Sequence, residues 1–172
     1  MHLTAVPLHS IATNDADVMP LRNPDMKDIA KQLNEIIRKF EPKLSLMKED
    51  NVGIKSSPNE WSKKEILGHL IDSAANNHQR FVRAVYQVAD QFPTYDQNQW
   101  IRIQQYNGIP WRTLISFWVA YNNHLSHVIE CIPWDVESSP CNIGKEELVP
   151  LEYVVKDYLR HLCHHMEDIL NK

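Results

Sequence analysis

The sequence predicts an all-α protein built as a bundle of four helices. Three observations carry this reading. Every sustained apolar periodicity in the chain runs at three- and four-residue steps. No segment alternates apolar and polar residues in the manner of a half-buried strand. Turn-forming residues concentrate in the stretches between the periodic segments. With 172 residues, 43% of them hydrophobic, the chain is the size of one domain with one sizeable core. We expect residues 24–172 to form it, and residues 1–23, which mix His, Thr, Asn, Asp and proline without period, to make an irregular N-terminal arm whose His2 and His9 are solvated.

The first helix should open near Pro24, since proline is tolerated in a first turn. Ile29, Leu33, Ile36, Ile37 and Phe40 then mark one buried stripe. Pro42 should kink or break it near Phe40, with Leu44 to Met47 adding a turn, and the turn residues from Asp50 to Asn59 should form a loop.

The second helix carries its own start signal. Ser62 followed three residues later by Glu65 is a capping box, and Trp61 stands where a hydrophobic staple would meet Ile66. Its apolar face, through Leu67, Leu70, Ala74, Phe81, Val85 and Val88, extends it to about Val88. Along one edge of that face lie His69, Ser73, Asn77 and Arg80, at steps of four, four and three. An ordinary solvated flank explains Ser73 and Asn77 as well as a pocket wall does. His69 stands out among them.

From Asp90 to Pro110 the composition changes, and Pro93, Asn107 and Gly108 punctuate Tyr95, Trp100 and Tyr106. A loop this long in a compact domain suggests a lid or a pocket wall. The third helix should run from Trp111 to Cys131, before Pro133, on a stripe that includes Leu114, Trp118, Tyr121 and Leu125. His124 falls about 80° from Leu114 on its flank, a reserve ligand candidate beside Tyr121 as a pocket residue, and His127 points outward. After a loop from Trp134, Glu146 or Glu147 should open the last helix, where acidic residues favour a first turn.

That last helix buries Leu151, Val154, Val155, Tyr158, Leu162, Met166 and Ile169. On a wheel of about 100° per residue His165 lies about 20° from Tyr158, inside the apolar face. His161 sits on its edge, and His164 points about 120° away. Two imidazoles one turn apart can share a metal ion, and the bland alternative is a packed histidine beside a solvated one. A catalytic zinc-type site needs three protein ligands. In a bundle, facing helices supply them, and His69 would complete an all-imidazole set that leaves a position open for water or substrate and favours a lowered pKa for a water or thiol there.

Composition narrows the function classes. The net charge is −4 with the basic residues scattered, which argues against nucleic acid. Cys131, Cys141 and Cys163 form an odd set without metal spacing, as expected of reduced thiols in a cytoplasm. The first twenty residues hold no Lys or Arg and no apolar run of the signal-peptide kind, and no segment reaches the ~20 apolar residues of a membrane span. A soluble cytoplasmic protein acting on a small molecule is the expectation, with a homodimer left open.

The run Trp61-Ser62-Lys63-Lys64-Glu65-Ile66-Leu67-Gly68-His69-Leu70-Ile71-Asp72-Ser73, with Asp157-Tyr158-Leu159-Arg160-His161-Leu162-Cys163-His164-His165 far downstream, resembles the DinB-like superfamily of metal-dependent hydrolases and thiol-dependent transferases. The resemblance covers the chain from about Pro24 to the end. It implies an up-down-down-up four-helix bundle, and a divalent metal held by one His of the second helix and an H-x-x-x-H pair on the last, at positions matching His69, His161 and His165. Imidazole suits zinc or nickel. The implied activity is hydrolysis, or transfer of a low-molecular-weight cellular thiol. The residue after His161 is Leu162, so the general base of an H-E-x-x-H helix is missing, while Asp168 lies on the His161 edge of the wheel as a candidate outer partner. A non-catalytic binding or stress-response bundle, its metal structural or absent, is the alternative class.

Overall fold

The computed structural model describes residues 24–86, 92, 94–144 and 147–172. Six α-helices are found among them: α1 Pro24–Ser45, α2 Glu49–Val52, α3 Lys63–Tyr86, α4 Gln97–Gln104, α5 Trp111–Glu130 and α6 Leu151–Asn171. The four long ones are the predicted bundle. The predicted arm, residues 1–23, lies outside the described residues, as does Val88.

Hydrogen bonds between the helices fix their directions. Trp111 Nε1, at the start of α5, donates to Leu44 O near the end of α1 (2.9 Å), and Ser126 Oγ, late in α5, donates to Ala30 O early in α1 (2.9 Å). These two helices are antiparallel. Lys63 Nζ opens α3 by donating to Ile169 O near the end of α6 (2.8 Å), so this pair is antiparallel too. Lys64 Nζ reaches Ile109 O, just ahead of α5 (2.8 Å), which puts the beginnings of α3 and α5 at one end. The order is therefore up-down-down-up. Helix α1 packs on α5 and α6, and α3 packs on the same two, so α1 faces α3 and α5 faces α6 only across the diagonal. Between them lie Leu33, Phe40, Leu67, Leu70, Phe81, Trp118, Leu125, Leu162 and Met166, all buried.

Local chemistry explains each departure from the predicted elements. Helix α1 runs through Pro42 to Ser45 without a break, its last turn held by the buried Leu44 and the bond from Trp111. The capping box forms as expected, Ser62 N donating to Glu65 Oε2 (2.8 Å) and Glu65 N to Ser62 Oγ (3.2 Å). Val85, assigned to the apolar stripe, is 36% exposed, although Ala84 beside it is buried. The stretch read as a loop contains α4, which Asp96 caps by accepting from Gln99 N (3.1 Å). The last helix starts at Leu151 and not at Glu146 or Glu147. Proline pushes the residue before it into extended backbone, and Val149–Pro150 pairs antiparallel with Pro140–Cys141 before the helix begins. No helix of the described residues is long and apolar enough to cross a membrane.

Candidate metal centre

Because α3 and α6 are antiparallel neighbours, the first turns of α3 meet the later turns of α6, and His69 lands beside His161 and His165. His69 Nε2 stands 3.0 Å from His161 Nε2. The ring centroids are 5.1 Å apart for His69 and His161, 5.0 Å for His69 and His165, and 4.6 Å for His161 and His165, each pair close to edge-on. One ligand atom from each residue lies within 4.8 Å of the others. His69 is 1% exposed, while His161 and His165 are half-buried.

Burial decides the charge of these rings. Desolvation, helped by the neighbouring imidazoles, pushes His69 down to about 3, and desolvation with His165 beside it takes His161 down to about 4. Desolvation also lowers His165, although Asp168 opposes it. Three imidazoles that stay neutral and turn nitrogens toward one another are the form in which histidine binds a metal. The donor set fits one divalent cation.

The surroundings orient two of the rings. His165 Nδ1 lies 3.1 Å from Asp168 Oδ2, the carboxylate–histidine pairing that fixes a ligand's tautomer and leaves its Nε2 free. The wheel had placed Asp168 with His161. It compares angles and ignores height, and His161 is seven residues away, about two turns, against three for His165. Trp61, expected to staple Ile66, tilts over His69 with centroids 5.0 Å apart. His69 Nδ1 is buried with no partner among the described residues. His164 is a surface group, its side chain 70% exposed and its Nε2 3.7 Å from Asp168 Oδ2.

A cavity of about 280 Å³ opens beside His161. Ser73, Asn77 and Arg80 line it, facing Asp157 and Tyr158 of α6. Tyr121 and His124 line the other flank of α3 instead. Tyr121 OH is 3.3 Å from His78 Nδ1, and the rings of His78 and His124 are 5.0 Å apart. The reason is topological, since α5 is diagonal to α6 and meets α3 on the side away from the histidines. Sequence reasoning gave no pocket role to Asp157, one turn before His161, whereas Tyr95, which lines the cavity from the connection before α4, lies in the stretch read as a lid or pocket wall. A check for acidic residues one turn from each candidate ligand would have found Asp157.

The shifted rings give an acid prediction for the metal-free protein. An unfolded histidine titrates near 6.5, whereas folded His69 stays neutral down to about 3. Between those values the unfolded chain binds the proton that the folded one refuses, so stability falls as pH falls through this window. The penalty from His69 tends toward roughly 5 kcal/mol at its lower end. Denaturant midpoints of chelator-treated protein at pH 7, 6, 5 and 4 should drop progressively, and His69→Gln should flatten the decline.

No protein-family model and no curated protein sequence matches the chain. Among solved structures, YfiT from Bacillus subtilis, described as a probable metal-dependent hydrolase with an unusual four-helix bundle topology, aligns with a TM-score of 0.76 at 16% identity, over 97% of this chain and 90% of that one. The mycothiol-dependent maleylpyruvate isomerase aligns with a TM-score of 0.69 at 15% identity, over 84% of this chain and 60% of the isomerase. These are likenesses of fold, and the fold is the one that the DinB-like resemblance implied.

Proposed function

We propose that this chain is a DinB-like metal-dependent enzyme in which His69, His161 and His165 hold one divalent ion, zinc or nickel, and present a small-molecule nucleophile to a substrate in the adjoining cavity. The observation that carries the reading is the convergence of three neutral imidazoles from two helices beside an open cavity, with no fourth protein ligand joining them among the described residues. A structural zinc is ordinarily closed by four protein ligands. The ion, when bound, would supply Lewis acidity that lowers the pKa of a thiol or water at the open position.

The chain's own residues have three tasks. Asp168 holds the His165 ring by accepting from Nδ1. Trp61 covers His69 and keeps bulk water from it. Ser73 and Asn77 offer polar atoms along the cavity wall where a substrate would be oriented.

The thiol reading is favoured because a thiol brings a readily lost proton, and among the described residues no unengaged carboxylate stands at the histidines to act as base. Asp168 is bonded to His165, and Asp157 accepts from Arg160. Water activation is the second reading, since Asp157 lines the same cavity as His161 and would become a base on leaving Arg160. The metal-loaded protein should conjugate a cellular thiol to an electrophile in a His69-dependent way. Turnover of an ester or amide with no thiol present would favour hydrolysis. If neither occurs and chelation unfolds the protein, the role is structural or binding.

A further inference from the structure

The polar edge of α3 runs past His69 along the wall of the cavity that His161 lines, and it ends at Arg80. The guanidinium is half-buried, and its one hydrogen bond among the described residues is a long one, 3.4 Å from Nη1 to Asn77 Oδ1. Asp157, on the facing wall, accepts from Arg160 and makes no hydrogen bond to Arg80 among the described residues, although its charge also acts on Arg80. Arg80 thus brings five donors and a positive charge to the cavity, and the described residues take up only one of those donors, through a long bond.

We infer that Arg80 is the carboxylate anchor of this pocket, and that the substrate or co-substrate is an elongated anion with its reactive end at the three imidazoles and its carboxylate at Arg80. The inference rests on the metal-site reading above and adds the class of molecule. Eleven residues separate His69 from Arg80, about three turns or 16 Å of helix, and the arginine stem shortens the gap without closing it. A compact anion cannot touch both ends. Tyr95 and Ser73, on the cavity walls, are neutral hydroxyls that suit the uncharged part of such a molecule. Burial pushes the Tyr95 phenol up to about 12, so it remains a donor at neutral pH. The planar guanidinium fork matches a carboxylate with two parallel bonds, which a lysine at the same place cannot do.

The test uses a long ω-mercaptoalkanoate and its methyl ester, titrated calorimetrically into the zinc-loaded protein. The acid should bind about tenfold more tightly or better, the size of a charge-assisted pair. Arg80→Gln should erase the preference by weakening the acid more than the ester, Arg80→Lys should restore part of it, and a short ω-mercaptoalkanoate should show none. Equal affinities for long acid and ester would overturn the Arg80 inference and leave the metal reading standing, because both probes carry the thiol. A second arm needs no metal. In nitrogen-15-labelled metal-free protein, a long alkanoate should shift the Arg80 Nε–H resonance, assigned by its loss in the Lys variant. A resonance that does not move would overturn the inference even if the histidines hold their ion.

Discussion

His165→Ala is expected to weaken zinc or nickel binding by more than about 100-fold and to abolish stoichiometric retention through gel filtration, while His164→Ala keeps one ion per chain. Loss of a hydrogen-bonding partner behind a ligand ordinarily costs 10–100-fold, and removing the ligand itself should cost more. Although adjacent, the two histidines are not equivalent. His165 lies 5.0 Å from His69 and 4.6 Å from His161 between ring centroids, whereas the His164 side chain is 70% exposed. Asp168→Asn should fall between them, at about 10–100-fold, because the His165 Nδ1–H would lose its charged acceptor. Metal content after dialysis, with circular dichroism to show that the helices persist, reads the series. Loss of the ion in the His164 variant, with retention in the His165 one, would mean that α6 presents a different face to α3.

Gly68→Ala should destabilise the protein by about 3 kcal/mol or more, against the ordinary helix preference. In an exposed helix interior alanine is about 1 kcal/mol better than glycine. Here an added Cβ would stand 2.2 Å from Tyr106 Cδ2 and 2.3 Å from Cγ, well inside van der Waals contact. The ring is 4% exposed and tethered by its hydroxyl, which donates to Asp72 Oδ1 at 2.6 Å, while Gln104 Nε2 donates to the same oxygen at 2.6 Å. It cannot swing clear without breaking that group, and overpacking dominates. A fall in Tm of about 10 °C is the corresponding readout for a chain of this size. Tyr106→Leu should remove part of the penalty when combined with Gly68→Ala, since the two changes meet at one contact.

Gly68 also marks where sequence reasoning stopped. A glycine inside an amphipathic stretch gives no sign of the ring pressed on it, which arrives from a segment nearly forty residues away. What was legible followed from local periodicity: four stripes gave four helices, Ser62 and Glu65 gave the start of α3, and the spacing of His161 and His165 put both on one side of α6. Longer-range geometry was not. Helix α4 was hidden by Pro93 before it, Asn98 inside it and Asn107, Gly108 and Pro110 after it, and the start of α6 by acidic residues that precede Pro150. Tyr121 and His124 carried no information about which flank of α3 their helix would meet, because adjacency in the bundle depends on two diagonal crossings between helices. Asp168 shares the His161 edge of the wheel but meets His165, a distinction that needs the axial coordinate. The pairing of His69 with a helix ninety residues downstream came from the family resemblance and bundle logic together.

His69, His161 and His165 are proposed to hold one divalent ion with a position open. The most direct test is anomalous diffraction from crystals of the metal-loaded protein, with data above and below the absorption edge of zinc or nickel. A single anomalous peak per chain is expected between the three rings, bonded to one nitrogen of each, with a non-protein ligand on the side of the cavity lined by His161 and Arg80. A peak elsewhere, a fourth protein ligand closing the site, or histidines bonded only to one another in crystals grown with excess metal would contradict it.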